Sequence, residues 1–317
     1  MGGVLDVVGL GTLAVDYVAL VPKIAEPEEK VGIEDYQVHL GGVAGNTLTQ
    51  IALLGASVGW FGKIGDDREG EILLDDFKKN GIDISHVIIE RGKKSMFTWI
   101  QVDPKGNRAI VMFPNTIVDL APEDIEGSFR EYIKKVKIFS SEATLIPLRT
   151  VLQAARIAVE EGVKFIFDID VDPLSLSVSG LGTEEELREL INLSYATVPS
   201  KATAKTLTGK EQPEDIIHAL LEMGPEMAAI TLGEEGCIIG SKKEEVVKVP
   251  AFSVDVKDTT GAGDAFHGGF IYGILNNWDV YKIGKFANAC ASLVCTKVGA
   301  RSIFTREDVE SFMKNYN

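Results

Sequence analysis

The sequence predicts an α/β fold, a doubly wound, mostly parallel central sheet flanked by helices, on three observations. Short apolar segments of strand length alternate with segments of helical period over most of the chain. The 317 residues are 45% hydrophobic and 25% charged, enough for one large core without disulfide or metal staples. No internal repeat or low-complexity linker divides the chain, so residues 1–317 read as a single domain.

Taken in order, VLDVVGLG reads as the first strand, Ala44 to Leu54 as a helix, SVGWFG as a strand and Glu69–Lys79 as a helix. The alternation resumes with the strand KIFSS, a helix from Pro147 to Glu161, the strand KFIFDID, a helix at Glu184–Leu193, and ATV before a short helix from Lys201. Two segments break the rhythm. Asp16–Val21 and Phe97–Phe113 read as strands with little helix between them, the second folded by a turn at DPKGNR. They predict a small β-rich lid built from about residues 12–40 and 93–115. The last third returns to strands at MAAITL, CIIG and VVKVP, with a further strand region at Phe252–Val256. Helices from about Ala262, Val280 and Thr305 close the chain.

Composition excludes several classes of function. With a net charge of −15 the surface repels nucleic acid and anionic lipid, so any bound phosphate must be held by local groups. No run approaches the roughly 18 apolar residues a membrane span needs. The N-terminus MGGVLDVVGLG has neither the basic start of a signal peptide nor, with Asp6, a myristoylation pattern. Three widely spaced cysteines, Cys237, Cys290 and Cys295, suggest neither a disulfide framework nor a metal site. A reducing cytoplasm is the expected location.

Two glycine motifs compete for the chemistry. Gly9, Gly11 and Ala14 match G-x-G-x-x-A after a strand, the spacing of a dinucleotide-binding turn and hence of an NAD-dependent dehydrogenase. That motif works only where a helix starts at its second glycine. The residues that follow, VDYVALVP, alternate like a strand and end on a proline, which disfavours the dehydrogenase.

The second motif is Asp258-Thr259-Thr260-Gly261-Ala262-Gly263-Asp264, followed by the apolar AFHGGFIYGIL. Gly261 and Gly263 allow backbone N–H groups to converge, and a helix N-terminus adds partial positive charge where a transferred phosphoryl group would gather negative charge. Asp264 at the helix start is placed to accept a hydroxyl proton as that hydroxyl attacks; the plain alternative is a helix N-cap. Neither a P-loop string nor a protein-kinase H-R-D and D-F-G pair is present.

DTTGAGD resembles the second signature of the ribokinase-like (phosphofructokinase-B) family of carbohydrate kinases. The first signature is similar as well: Gly41-Gly42, Asn46, Leu53-Leu54-Gly55, then Gly65-x-Asp67-x-x-Gly70. The two stand in the family's order, and the likeness spans almost the whole chain. It implies ATP with Mg2+ as cofactors, Asp264 as catalytic base, and Gly261, Ala262 and Gly263 as the anion hole. It further implies that Asp16, Gly41, Gly42, Asn46 and Glu142 bind the acceptor. Thr231, Gly233, Gly236 and Asn288 would lie along the nucleotide. Arg108, next to the turn Lys105-Gly106-Asn107, would reach the phosphates from the lid, its fork suiting phosphate oxygens.

One departure stands out. Many members carry an N-x-x-E motif that organises magnesium-bound water, and the matching Ser200-Lys201-Ala202-Thr203 has neither residue. The ketohexokinase branch departs at the same place with a similar Ser-Lys opening, and it also resembles this chain in GLGTLAVDYVALVP and LLDDF. A ketohexose such as fructose is therefore the expected acceptor, with ribose, inositol, a nucleoside or a sugar acid as alternatives. Because Val43–Gln50 offers no cation for a second phosphate, sugar phosphates are not expected. A homodimer through the exposed lid strands is a further expectation, and so is the absence of any metal site made by protein side chains alone.

Overall fold

The computed structural model describes residues 4–316. In chain order its strands are β1 (Leu5–Leu10), β2 (Ala14–Leu20), β3 (Asp35–Gly41), β4 (Val58–Phe61), β5 (Lys63–Gly65), β6 (Ile88–Glu90), β7 (Phe97–Val102), β8 (Arg108–Phe113), β9 (Val136–Glu142), β10 (Lys164–Ile169), β11 (Ala196–Pro199), β12 (Met227–Thr231), β13 (Cys237–Ser241) and β14 (Val247–Val249). The helices are α1 (Val43–Leu53), α2 (Arg68–Lys79), α3 (Pro122–Ile125), α4 (Ser128–Ile133), α5 (Leu148–Glu160), α6 (Pro173–Ser179), α7 (Glu184–Leu193), α8 (Lys201–Thr208), α9 (Pro213–Glu222), α10 (Ala262–Leu275), α11 (Val280–Val294) and α12 (Arg306–Asn315).

Eight strands make the main sheet, in the order β14-β13-β12-β11-β10-β9-β1-β4. From β4 to β12 neighbours run parallel; β13 and β14 close that edge antiparallel. Alternate side chains serve opposite layers. On β9, Ile138 joins Leu48 and Ile51 of α1 and Phe266 and Phe270 of α10, while Phe139 joins Val151 of α5 and Leu187 of α7. This two-sided burial explains why these strands read as nearly continuous apolar runs. The chain winds to β4 on one side of β1 and to β9 on the other. Such a switch in winding direction opens a crevice beyond the carboxyl ends of the strands.

The lid is a separate sheet, β3-β2-β7-β8, with β2 and β7 parallel and the outer pairs antiparallel. Its root is packed: Val15 is fully buried, and Phe97 and Phe113 stack with ring centroids 4.3 Å apart. The Tyr17 hydroxyl donates to Glu69 Oε1 at 2.6 Å and ties β2 to α2. At the expected turn, Asp103 Oδ1 accepts from the N–H groups of Lys105 and Asn107.

The expected strand after Gly11 is present, one other expectation needs correction, and one strand escaped prediction. After β1, the chain passes from Gly11 to Leu13 straight into β2, so no helix begins at the glycines and the dinucleotide motif has no pyrophosphate site. Gly9 and Gly11 instead lie against Leu48 and Ala44, where α1 packs on the sheet. The region Phe252–Val256 pairs with no strand. The strand that escaped is β3: its sequence, DYQVHLG, is polar and exposed because it forms the lid's edge.

Candidate active site

The site lies where α1 and α10 bring their N-termini to the carboxyl ends of β1 and β9. Gly261 caps α10 at φ 78°, a left-handed conformation that glycine adopts without strain, and the carbonyl of Ala300 crowds it so closely that a Cβ would collide. In the first helical turn the N–H groups of Gly263 and Asp264 have no helical acceptor, so they are free for an anion. Asp258 stiffens the loop. Its Oδ1 accepts from Thr260 N at 3.0 Å and Thr260 Oγ1 at 2.7 Å, and its Oδ2 from Gly299 N at 3.0 Å. Burial pushes the Asp258 carboxyl up, but these hydrogen bonds and Arg108 pull harder and leave it below the usual carboxylate range.

Asp264 accepts a 2.6 Å hydrogen bond at Oδ2 from Asn46 Nδ2, and Thr47 Oγ1 donates to its backbone carbonyl at 3.3 Å. Two residues 218 apart in sequence, each singled out by its own motif, thus meet at one point. Burial lifts the Asp264 carboxyl to about 7, helped by the charges of Glu142 and Asp170 and opposed by Asn46 and Arg301. A carboxylate balanced near neutrality is suited to take and return a proton. Asp168, on the end of β10, stands well above its ordinary range through burial and the charges of Asp264 and Glu142.

Asp16 projects from β2 toward the same cleft, its Oδ1 hydrogen-bonded by Thr98 Oγ1 of β7. A Cβ on Gly41 would collide with this carboxylate, so the glycine makes room for it. Gly42, at φ 84°, turns the chain from β3 into α1, close enough to the Thr12 carbonyl that any Cβ would clash. Burial raises the Asp16 carboxyl, while Thr98, His39 and Arg301 act the other way. Arg301 therefore brings a cation to the cleft from outside the segment Val43–Gln50, which has none.

Glu142 is only 2% exposed, and its Oε1 accepts from Thr12 N at 2.9 Å, Thr12 Oγ1 at 2.6 Å and Thr144 Oγ1 at 2.6 Å. Thr12 Oγ1 in turn accepts from Val43 N at 3.1 Å. Through Oε1 the carboxylate thus fixes the N-terminus of α1, while its charge also bears on Asp264. Asn288 is likewise committed: its Nδ2 donates to the carbonyls of Val249 at 2.9 Å and Pro250 at 3.1 Å. These two residues form a wall against Gly236, whose left-handed backbone they crowd. Thr231 ends β12, and Gly233 lies exposed in the loop that follows. Arg108, at the start of β8, donates from Nη1 to Thr260 Oγ1 at 3.1 Å and faces Asp258 at 3.6 Å, so the lid reaches the anion loop.

Arg301, His39, Thr12 and Thr98 were not singled out from sequence. Thr98 could have been found by pairing β7 with β2, which sets it opposite Asp16. Arg301 gave no local signal, because its contacts lie more than 200 residues away.

The model of the pfkB family of carbohydrate kinases matches residues 4–306. The chain belongs to this family. It is a sugar kinase, and its relatives bear sugar-kinase names. It is 28% identical to a 5-dehydro-2-deoxygluconokinase of Clostridium perfringens over 98% of this chain and 93% of that one. A ribokinase of Haemophilus influenzae is 29% identical over 96% of this chain and 97% of its own. An uncharacterized sugar kinase of Archaeoglobus fulgidus is 33% identical over 79% of this chain and 96% of its own. Among solved structures, the ribokinase of Thermotoga maritima superposes with a TM-score of 0.85 at 25% identity, covering 98% of this chain and all of that one. An Arabidopsis thaliana ribokinase complexed with ribose and ATP shares the fold, at a TM-score of 0.86 and 21% identity, over 98% of this sugar kinase and 99% of its own length. Among the described residues, no helix is long and apolar enough to cross a membrane.

Proposed function

We propose that this sugar kinase transfers the γ-phosphoryl group of ATP to a hydroxyl of a ketohexose such as fructose. The observation that carries the reading is the 2.6 Å bond between Asn46 and Asp264 at the end of the anion loop, with Asp16 projecting into the same cleft. An acceptor held by Asp16 and Asn46 presents one hydroxyl to Asp264. The carboxylate takes its proton as the oxygen bonds to the γ-phosphorus, and the bond from that phosphorus to the ADP oxygen breaks. The free N–H groups of the first α10 turn and Arg108 oppose the charge that gathers on the phosphoryl oxygens.

Gly233, Gly236 and the wall pinned by Asn288 are the proposed nucleotide face. No group of three or more His, Cys, Asp or Glu side chains among the described residues could hold a metal by itself, and Ser200 caps α8 through Thr203 where the family motif would begin. Mg2+ is accordingly taken as part of the substrate, arriving on the phosphates of ATP. Two finer features complete the reading. Tyr36, Val38, Ile110 and Val111, 46–57% exposed on the lid, favour a homodimer through that sheet. Three free cysteines favour a reducing cytoplasm.

A second reading, a sugar-acid acceptor, is favoured by His39 and Arg301 beside Asp16 and by the names of the relatives. A coupled ADP-release assay over fructose, ribose, inositol, adenosine, a keto sugar acid and hexose phosphates decides between them. Highest kcat/KM on a ketohexose supports the first reading; a tenfold or greater preference for another acceptor overturns it.

A further inference from the structure

Gly299, Ala300 and Arg301 form a strap that touches both halves of the cleft. Gly299 donates its N–H to Asp258, and the Ala300 carbonyl lies against Gly261, so the strap braces the anion loop. Arg301 then turns inward beneath the acceptor side. Its Nη1 donates to Gly45 O at 2.8 Å and Thr49 Oγ1 at 2.6 Å and pairs with Asp76 Oδ2 at 3.1 Å, while Nη2 donates to Gly41 O at 3.2 Å. Gly41 ends β3, and Gly45 immediately precedes Asn46. One planar cation therefore spans the backbone on either side of the turn that carries the acceptor-binding groups.

Such an arrangement is costly. The side chain is 14% exposed, and its Nε is buried with no partner. Removing a guanidinium from water and leaving one donor unspent are both unfavourable, and an apolar side chain would fill the same space at lower cost. What the apolar residue could not do is present several donors in one plane to several carbonyl and carboxylate oxygens, or place positive charge beside two acids of the site.

The charge matters because Asp264 is surrounded by acids. Glu142 on β9, and Asp168 and Asp170 at the end of β10, face it; α1 contributes only the neutral Asn46 and Thr47. On its own helix His267 is held neutral by burial. Arg301 is the cation that opposes these acids, and it acts on Asp16 as well.

We infer that Arg301 is a positioning residue of the sugar kinase, holding Gly41 and Gly45 so that Asn46 meets both the acceptor and Asp264. The inference rests on the sugar-kinase reading of this cleft. Arg301→Lys keeps the charge and loses the fork, whereas Arg301→Met loses both. In Arg301→Lys the acceptor KM rises roughly tenfold or more, as for a lost charged hydrogen bond, with a smaller change in kcat and unchanged ADP affinity by calorimetry. In Arg301→Met the acid limb of kcat/KM also moves to higher pH by about one unit. The sign follows from the base: Asp264 works ionised, and without its cation it holds its proton to higher pH.

Carbon NMR of aspartate-labelled protein, with the Asp264 signal assigned by Asp264→Asn, reads the same shift without turnover. If wild type phosphorylates no sugar on the panel, the proposed function fails while this titration still tests the charge effect. An unchanged titration in Arg301→Met overturns the inference. So does an unchanged acceptor KM in Arg301→Lys, or a parallel fall of acceptor affinity, ADP affinity and Tm, which marks general loosening. Should Arg301→Met not fold, the split between acceptor KM and ADP affinity in Arg301→Lys decides.

Discussion

The main sheet and the lid sheet are built from similar residues and live in opposite environments. Every residue of β4, β11 and β13 is buried, and their side chains feed packed layers on both faces. On the lid burial is partial: Ala14, Val15 and Ala19 of β2 are enclosed, whereas five of the six residues of β8 are exposed. The chemistry divides along the same line. Asp264, Glu142 and the anion loop belong to the packed body; Asp16 and Arg108 ride on the lid. Under the proposed function, a base at Asp264 gains from a rigid, dry frame, and lid groups that enclose an acceptor gain from one that can move.

That contrast predicts graded effects. Asp264→Asn, in the body, cuts turnover by roughly the 10²–10⁴-fold typical of a lost general base while ATP binding persists. Steady-state kinetics with nucleotide calorimetry check it, and near-wild-type turnover would remove Asp264 from its role. Asp16→Asn, at the root of the lid, lowers kcat/KM for the acceptor by about 10–100-fold, the range of a charge-assisted hydrogen bond, without changing ADP affinity. Equal losses for acceptor and nucleotide would show that Asp16 serves the fold instead.

At the lid tip, Arg108→Ala raises the KM for ATP by about threefold to tenfold, because its guanidinium is half exposed and its pair with Asp258 is correspondingly weak. A larger loss in kcat than in KM would place Arg108 in the transition state and make the lid a stronger partner than the contrast implies.

The smallest effect concerns stability. Because the folded state raises the Asp264 carboxyl from 3.8 to about 7, it binds a proton more tightly than the unfolded chain. The native state is therefore penalised as pH rises between those values, and the penalty is complete above the upper one. Asp264→Asn should raise the Tm by about 2–4 °C at pH 8, and the gain should shrink toward pH 4. A gain independent of pH would mean that the charge is not the cause. The same proton affinity predicts that activity falls as pH drops through about 7.

Much of the body was legible in advance because its signals are local. Strands buried on two faces are apolar runs, and helices such as α7 carry their own caps, so Glu184–Leu193 could be bounded to the residue. Asp264 and Asn46 were likewise marked by motifs of closely spaced residues. The edge strand β3 was hidden, since an exposed strand has little apolar pattern to display.

Contacts between distant segments could not be read from the chain. That Glu142 Oε1 serves Thr12 and Thr144, that Asn288 holds two carbonyls, and that Arg301 reaches Gly41 and Gly45 are outcomes of packing, in which a side chain's role depends on partners the local sequence does not name. The chemistry proposed for the site thus rests on residue types at short spacing. Its electrostatics follow from burial, because a carboxylate moves from 3.8 to about 7 only when the fold removes water from it and gathers other acids around it.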